Sequence, residues 1–199
     1  IVPPYWLGYF GKALELYPQA GIVGCRIVDE AVPMALQSVD LHFEAALDDS
    51  GCFKDQAPFQ FVDSHQQSPD FGQYSYLRPA TSVTGCCHLL TRRNIKEVGL
   101  FDLKYSPSQF DDLDRDLRSD SLGQQCVYQG HLQVRHIKRS GSVIKMSLGQ
   151  KANSEGNLRK LLIHHPADRI AAYSRNSLVR MKQEFAARLE VLSPENVSK

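Results

Sequence analysis

The chain predicts an α/β fold, a mixed sheet with flanking helices and a helical tail, and three observations predict it. A helical apolar period over residues 6–17 runs directly into Ile22-Val23-Gly24-Cys25-Arg26-Ile27-Val28, the pattern of a helix feeding a buried, parallel strand. Further strand-like runs alternate with short helical ones as far as residue 136. From about Ser154 the period turns helical again and stays so. A chain of 199 residues is long enough for one core domain with such a tail.

The first helix is expected to start at Pro3-Pro4, where proline is tolerated, to carry Trp6, Leu7, Phe10, Ala13, Leu14 and Tyr17 at helical intervals as its apolar side, and to stop at Pro18 and Gly21. After the first strand the pattern weakens, with a candidate strand at Leu41-His42-Phe43 and no sustained period over 48–80. Phe53, Phe59, Phe61, Phe71, Tyr74 and Tyr76 lie in that stretch, either as a binding lid or as anchors pinning the loop to the body. Order resumes with a strand over 82–90, and Gly85 inside it signals a bulge or the close approach of another group. A short helix follows from about Arg92 to Val98, ended by Gly99. An acidic helix begins near Phe110 and ends at Gly123, and two strands, 125–128 and 132–136, come after it. In the tail, Leu158, Leu161 and Leu162 precede a break at His165-Pro166, with a second helix beyond it.

Composition bounds the function. The 23 Lys and Arg nearly cancel 22 Asp and Glu, so no global field recruits nucleic acid, and recognition by charge must be local. Five scattered cysteines without a C-x-x-C pair fit neither a disulfide framework nor a structural zinc site, which favours a reducing, cytoplasmic setting. No apolar run approaches the ~20 residues that cross a bilayer, although attachment to a membrane surface stays compatible with the sequence. The chain opens Ile1-Val2-Pro3-Pro4 rather than on Met, from which we expect a piece of a longer protein.

Chemistry concentrates in Phe110-Asp111-Asp112-Leu113-Asp114-Arg115-Asp116-Leu117-Arg118. Phe110, Leu113 and Leu117 would seat one helix face and leave the acids free. Acids in a first helical turn serve either as caps favoured by the helix dipole or as a catalytic base. A second acid nearby raises the pKa of such a base, and Arg115 or Arg118 lowers it again. His164-His165, at the helix break, has no carboxylate at ligand spacing and reads as structural.

Set in order, Val83-Thr84-Gly85-Cys86-Cys87-His88-Leu89-Leu90-Thr91-Arg92-Arg93, Glu97-Val98-Gly99-Leu100-Phe101-Asp102, Phe110-Asp111-Asp112-Leu113-Asp114 with Arg118, and Val134-Arg135-His136 resemble the back half of family-2-type glycosyltransferases of the GT-A fold. The opening helix and strand are similar to those that follow the family's D-x-D metal motif, so the resemblance covers residues 1–142. It implies residues 1–145 as the acceptor-side half of a catalytic domain, with 150–192 as the helical tail. It also implies transfer of a sugar from a nucleotide-sugar donor to a glycan or other hydroxyl acceptor, with inversion. Asp112 inherits the role of general base and Asp111 that of its partner, Asp standing where the family has Glu. Thr84, Gly85, Asp114 and Arg118 are implied at the substrate, and His136 at a divalent metal, Mn or Mg, whose D-x-D partner would lie upstream of Ile1. Without the donor half the chain is expected to be inactive alone, and its open edges leave room for homo-oligomers. The competing expectation is a binding or assembly module derived from such a half.

Overall fold

The computed structural model describes residues 1–29, 35–45, 49–50, 59–63, 68–107, 109–137 and 148–191. Helix α1 (Trp6–Leu16) delivers the chain to β1 (Ala20–Asp29), whose residues from Ala20 to Val28 are all buried. That explains its unbroken apolar run, since a strand covered on both faces has no polar side to alternate. It is followed by β2 (Leu36–Ser38), β3 (Leu41–Ala45), β4 (Phe59–Asp63), β5 (Leu77–Ala80) and β6 (His88–Leu90). Then come α2 (Arg92–Val98), a 3-10 turn (Leu103–Tyr105), α3 (Asp111–Asp120), β7 (Gln125–His136), α4 (Leu148–His164) and α5 (Ala167–Val191).

The main sheet has the order β2-β1-β7-β5, with β6 also paired to β1. Strands β1 and β7 run parallel, while β2 and β6 lie antiparallel to β1 and β5 antiparallel to β7. The architecture is therefore mixed α/β, a curled sheet with flanking helices. A separate ribbon, β3 with β4, is bridged to the rest where Leu41 and Ser82 exchange backbone hydrogen bonds.

Three differences from expectation have physical causes. The expected strands 125–128 and 132–136 are one strand, because the β1 register jumps from Cys25↔Gln129 to Arg26↔Gln133 and a bulge absorbs the extra residues. Gly130 sits in that bulge, where a Cβ would stand 2.0 Å from the Tyr74 carbonyl oxygen. Only His88–Leu90 of the expected strand 82–90 pairs as a strand, since the preceding residues are drawn toward α3. The stretch 48–80 holds β4 and β5, which its short runs did not announce. Of the aromatic candidates there, Phe53 and the side chains of Phe59 and Phe61 lie outside the described residues, as does Ser140-Gly141-Ser142. Tyr74 and Tyr76 pack against the sheet, while Phe71 is exposed.

Phe10 and Ala13 of α1 cover one sheet face, against Val23, Ile27, Val127 and Leu132. The other face is filled by Ile22, Leu36, Val83 and Tyr128. A third cluster joins α3 to the tail: Leu113 and Leu117 meet Tyr105, Leu161 and Tyr173. Burying side chains such as Leu161 contributes roughly 1.5–3 kcal/mol each, so the tail helices are part of the core around α3. The break between α4 and α5 falls at His165-Pro166, as the sequence indicated.

Candidate functional site

Helix α3 enters from a strained turn. Gln109 (φ 85°) and Phe110 (φ 69°) both occupy the left-handed region, a conformation that costs bulky residues energy and clusters at functional sites. Phe110 is the N-cap and offers no side-chain cap, so Asp111, Asp112 and Asp114 all fall in the first turn beside free backbone N–H groups. There Asp112 Oδ1 accepts from the Leu113 N–H at 2.9 Å. Its Oδ2 accepts from the Gly85 N–H, also at 2.9 Å.

Gly85 is thus the point of close approach that its place in the sequence signalled. A Cβ there would lie 3.2 Å from both Asp112 Cβ and Oδ2, so a side chain would require the Asp112 side chain to give way by a few tenths of an ångström. Thr84 accepts weakly from the Cys86 N–H at 3.4 Å, and both Gly85 and Cys86 face solvent. Burial raises the pKa of Asp112, the Gly85 N–H works against that, and the Asp111 charge adds to it. Arg115 and Arg118, expected to lower it, are committed elsewhere.

The expectation that the acids would stand free is corrected for half of them. Asp114 and Asp116 are each 1% exposed and Arg115 is fully buried, because α2, β7, α4 and α5 surround the helix. Asp114 accepts from Tyr105 Oη (3.2 Å), Arg118 Nε (2.8 Å) and His165 Nε2 (2.8 Å). Burial alone would raise its pKa, but the His165 and Arg118 contacts outweigh burial and hold it at about 2. Arg118 spends its other nitrogens on the Val98 and Leu100 carbonyls. Asp114 and Arg118, expected at the substrate, therefore brace α3 against the 98–100 turn. His165 finds its carboxylate in Asp114, 51 positions away in sequence, which no local spacing could reveal.

His165→Ala is expected to leave that buried carboxylate a donor short and to destabilise the fold by about 1–3 kcal/mol at neutral pH. Stability drawn from a depressed carboxyl pKa is present above the ordinary carboxylate range and is lost as pH falls through about 2. The variant should unfold at higher pH in an acid titration followed by circular dichroism. An unchanged acid midpoint would count against the contact.

Around Arg115 lies a second buried network missed by the sequence reading. Its guanidinium donates to the Gly99 carbonyl and to Asn94 Oδ1 (2.7 Å), and it lies 5.2 Å from the Phe101 ring centre. Phe101 stacks in turn on His88, with centroids 5.9 Å apart. Burial, together with the Arg115 charge, lowers His88 to about 4, so it is neutral at pH 7. Thr91 caps α2 through Asn94 N–H, and Asn94, fully buried, donates to Ser119 and Gln124.

His136 stands apart from this cluster, at the carboxyl end of β7. Its Nδ1 lies 2.5 Å from Gln37 Oε1, and its register partner on β1 is Asp29. Those residues offer one imidazole nitrogen and one neighbouring carboxylate. Among the described residues no group of three His, Cys, Asp or Glu side chains converges as a cation site. None of the described helices is long and apolar enough to cross a membrane. No family model matches the chain, and a search of curated proteins finds no match.

Proposed function

We propose that this chain is the acceptor-side half of a GT-A-type glycosyltransferase, with Asp112 as the general base of sugar transfer to a hydroxyl. The observation that carries the reading is the aimed carboxylate of Asp112. It follows a strained left-handed turn, it is held by the exposed Gly85 backbone, and burial makes it more basic than an ordinary aspartate.

In the proposed reaction the acceptor oxygen bonds to the anomeric carbon of a nucleotide-sugar as the bond to the departing diphosphate breaks. The hydroxyl proton passes to Asp112, whose backbone hydrogen bonds leave part of its lone-pair capacity open. Asp111, next to it in the first turn, adds negative charge that raises the base's proton affinity. Thr84 and Gly85 form the edge that the acceptor would approach. The divalent cation and nucleotide-sugar site implied by the resemblance belong to the donor half in this reading.

The test is release of nucleoside diphosphate from a panel of nucleotide-sugars by a polypeptide that joins this chain to a donor-binding half. Asp112→Asn should lower kcat by about 10²–10⁴-fold, the usual contribution of a positioned base, while the 199-residue chain alone turns over none. Full turnover by the variant would remove Asp112 from the role.

A further inference from the structure

Asp116 lies one helical turn beyond Asp112, and the reaction above does not use it. Its Oδ2 accepts from the Ser82 hydroxyl, from the Val83 N–H at 3.2 Å and from the Cys126 thiol at 3.8 Å. Oδ1 is buried and meets no donor among the described residues. The neighbouring cation, Arg115, is turned to Asn94 and Gly99 instead. A buried carboxyl without an ion pair is costly to keep, so its geometry calls for a reason.

The reason is visible in the spacing. Val83 N–H meets Asp116 and Gly85 N–H meets Asp112, so donors two residues apart are matched to carboxylates four apart on α3. Four helical residues rise about 6 Å, which two residues of extended chain, at about 3.3 Å each, can span. Helix side chains thereby take the place of a neighbouring strand's carbonyls. Ser82 is fixed from its other side by the backbone exchange with Leu41, and Val83 is wedged over Gly24. The segment has no other anchor to α3 between Ser82 and Gly85 among the described contacts.

We propose that Asp116 is the positioning residue of the acid pair: it clamps the Ser82–Val83 segment to α3 and so sets the Gly85 N–H on the Asp112 carboxylate. This rests on reading Asp112 as the base and adds the group that aims it. The charged and titratable groups facing Asp116 are Asp112 and Arg115 from α3, Cys126 from β7 and Tyr173 from α5. Burial lifts Asp116 to about 8, with the Asp112 charge adding to the rise. At neutral pH the clamp is therefore uncharged and adds no negative charge beside Asp112.

The experiment follows Gly85 amide exchange and the Asp112 carboxyl titration by NMR in the 199-residue chain. Asp116→Asn, which keeps an acceptor for Ser82 and Val83, should leave Gly85 as protected as in the native chain. Asp116→Ala should speed Gly85 exchange at least tenfold and move the Asp112 titration upward, because the N–H that stabilises its carboxylate is gone. Ser82→Ala, a milder change, should shift both in the same direction and decides the matter if Asp116→Ala does not fold. A folded Ser82→Ala or Asp116→Ala variant with native Gly85 exchange and native Asp112 titration would overturn the clamp. Turnover by Asp112→Asn tests the base separately, and these amide readouts do not depend on it.

Discussion

Asp116→Asn is expected to stabilise the protein above neutral pH, against the usual outcome for a change in a well-packed core. An aspartate with a pKa near 3.9 in the unfolded chain and about 8 in the folded one loses proton affinity on unfolding. Below pH 4 both states hold the proton and the site contributes its full stability. As pH rises toward 8 the unfolded chain ionises while the folded one does not, so stability falls, and above 8 it levels off. A shift of that size corresponds to about 6 kcal/mol across the window. Asparagine cannot ionise, so its unfolding free energy should be close to flat where the native chain's declines. Urea unfolding at pH 5, 7 and 8.5 reads the difference directly. Parallel pH profiles for the two proteins would mean that Asp116 is not the buried acid described above.

The second large effect is expected at Gly24. It lies in the middle of β1, and a Cβ built there would stand 2.3 Å from Val83 Cβ, with both Val83 methyl groups inside 3 Å. Gly24→Ala must therefore displace the Val83 backbone, and overpacking of this kind costs about 1–3 kcal/mol, at the upper end here because no flexible chain end can yield. Trimming the neighbour does not relieve it: Val83→Ala keeps the offending Cβ, so the double variant should be no more stable than Gly24→Ala. Because Gly85 is two residues beyond Val83, the same variant should loosen the Gly85 hydrogen bond to Asp112. Urea midpoints and the Gly85 amide signal check both parts. Full recovery of stability in the double variant would show that the side chain, and not the backbone, is what Gly24 accommodates.

Together the expected outcomes describe a carboxylate, the proposed base, held through layers. Gly85 holds the Asp112 carboxylate, Asp116 and Gly24 fix the segment that carries Gly85, and Asp114 with His165 ties the helix to the tail. The tail is thereby coupled to the candidate site. Its Tyr173, which donates to the Thr81 carbonyl, reaches the same segment from the other side.

Much of the fold is legible in the sequence because it rests on local signals. The period of Trp6, Phe10 and Ala13, the unbroken run through β1, Thr91 before α2 and Gly99 after it, and Pro166 between the last helices each act within a few residues. The acidic helix start with its Asp111-Asp112 pair was equally plain. What the sequence could not determine is which of four carboxylates faces the solvent edge and which lie in the core. Helical spacing fixes angles around an axis, whereas burial depends on how many neighbours pack round it, and α3 is enclosed on nearly all sides. Only the tertiary structure could decide that Asp114 pairs with a histidine from the tail, that Asp116 is held neutral by burial, and that Asp112 is left at the edge against Gly85. Those roles come from contacts between residues distant along the chain, and the environments of the acids are made by packing rather than by their order in the helix.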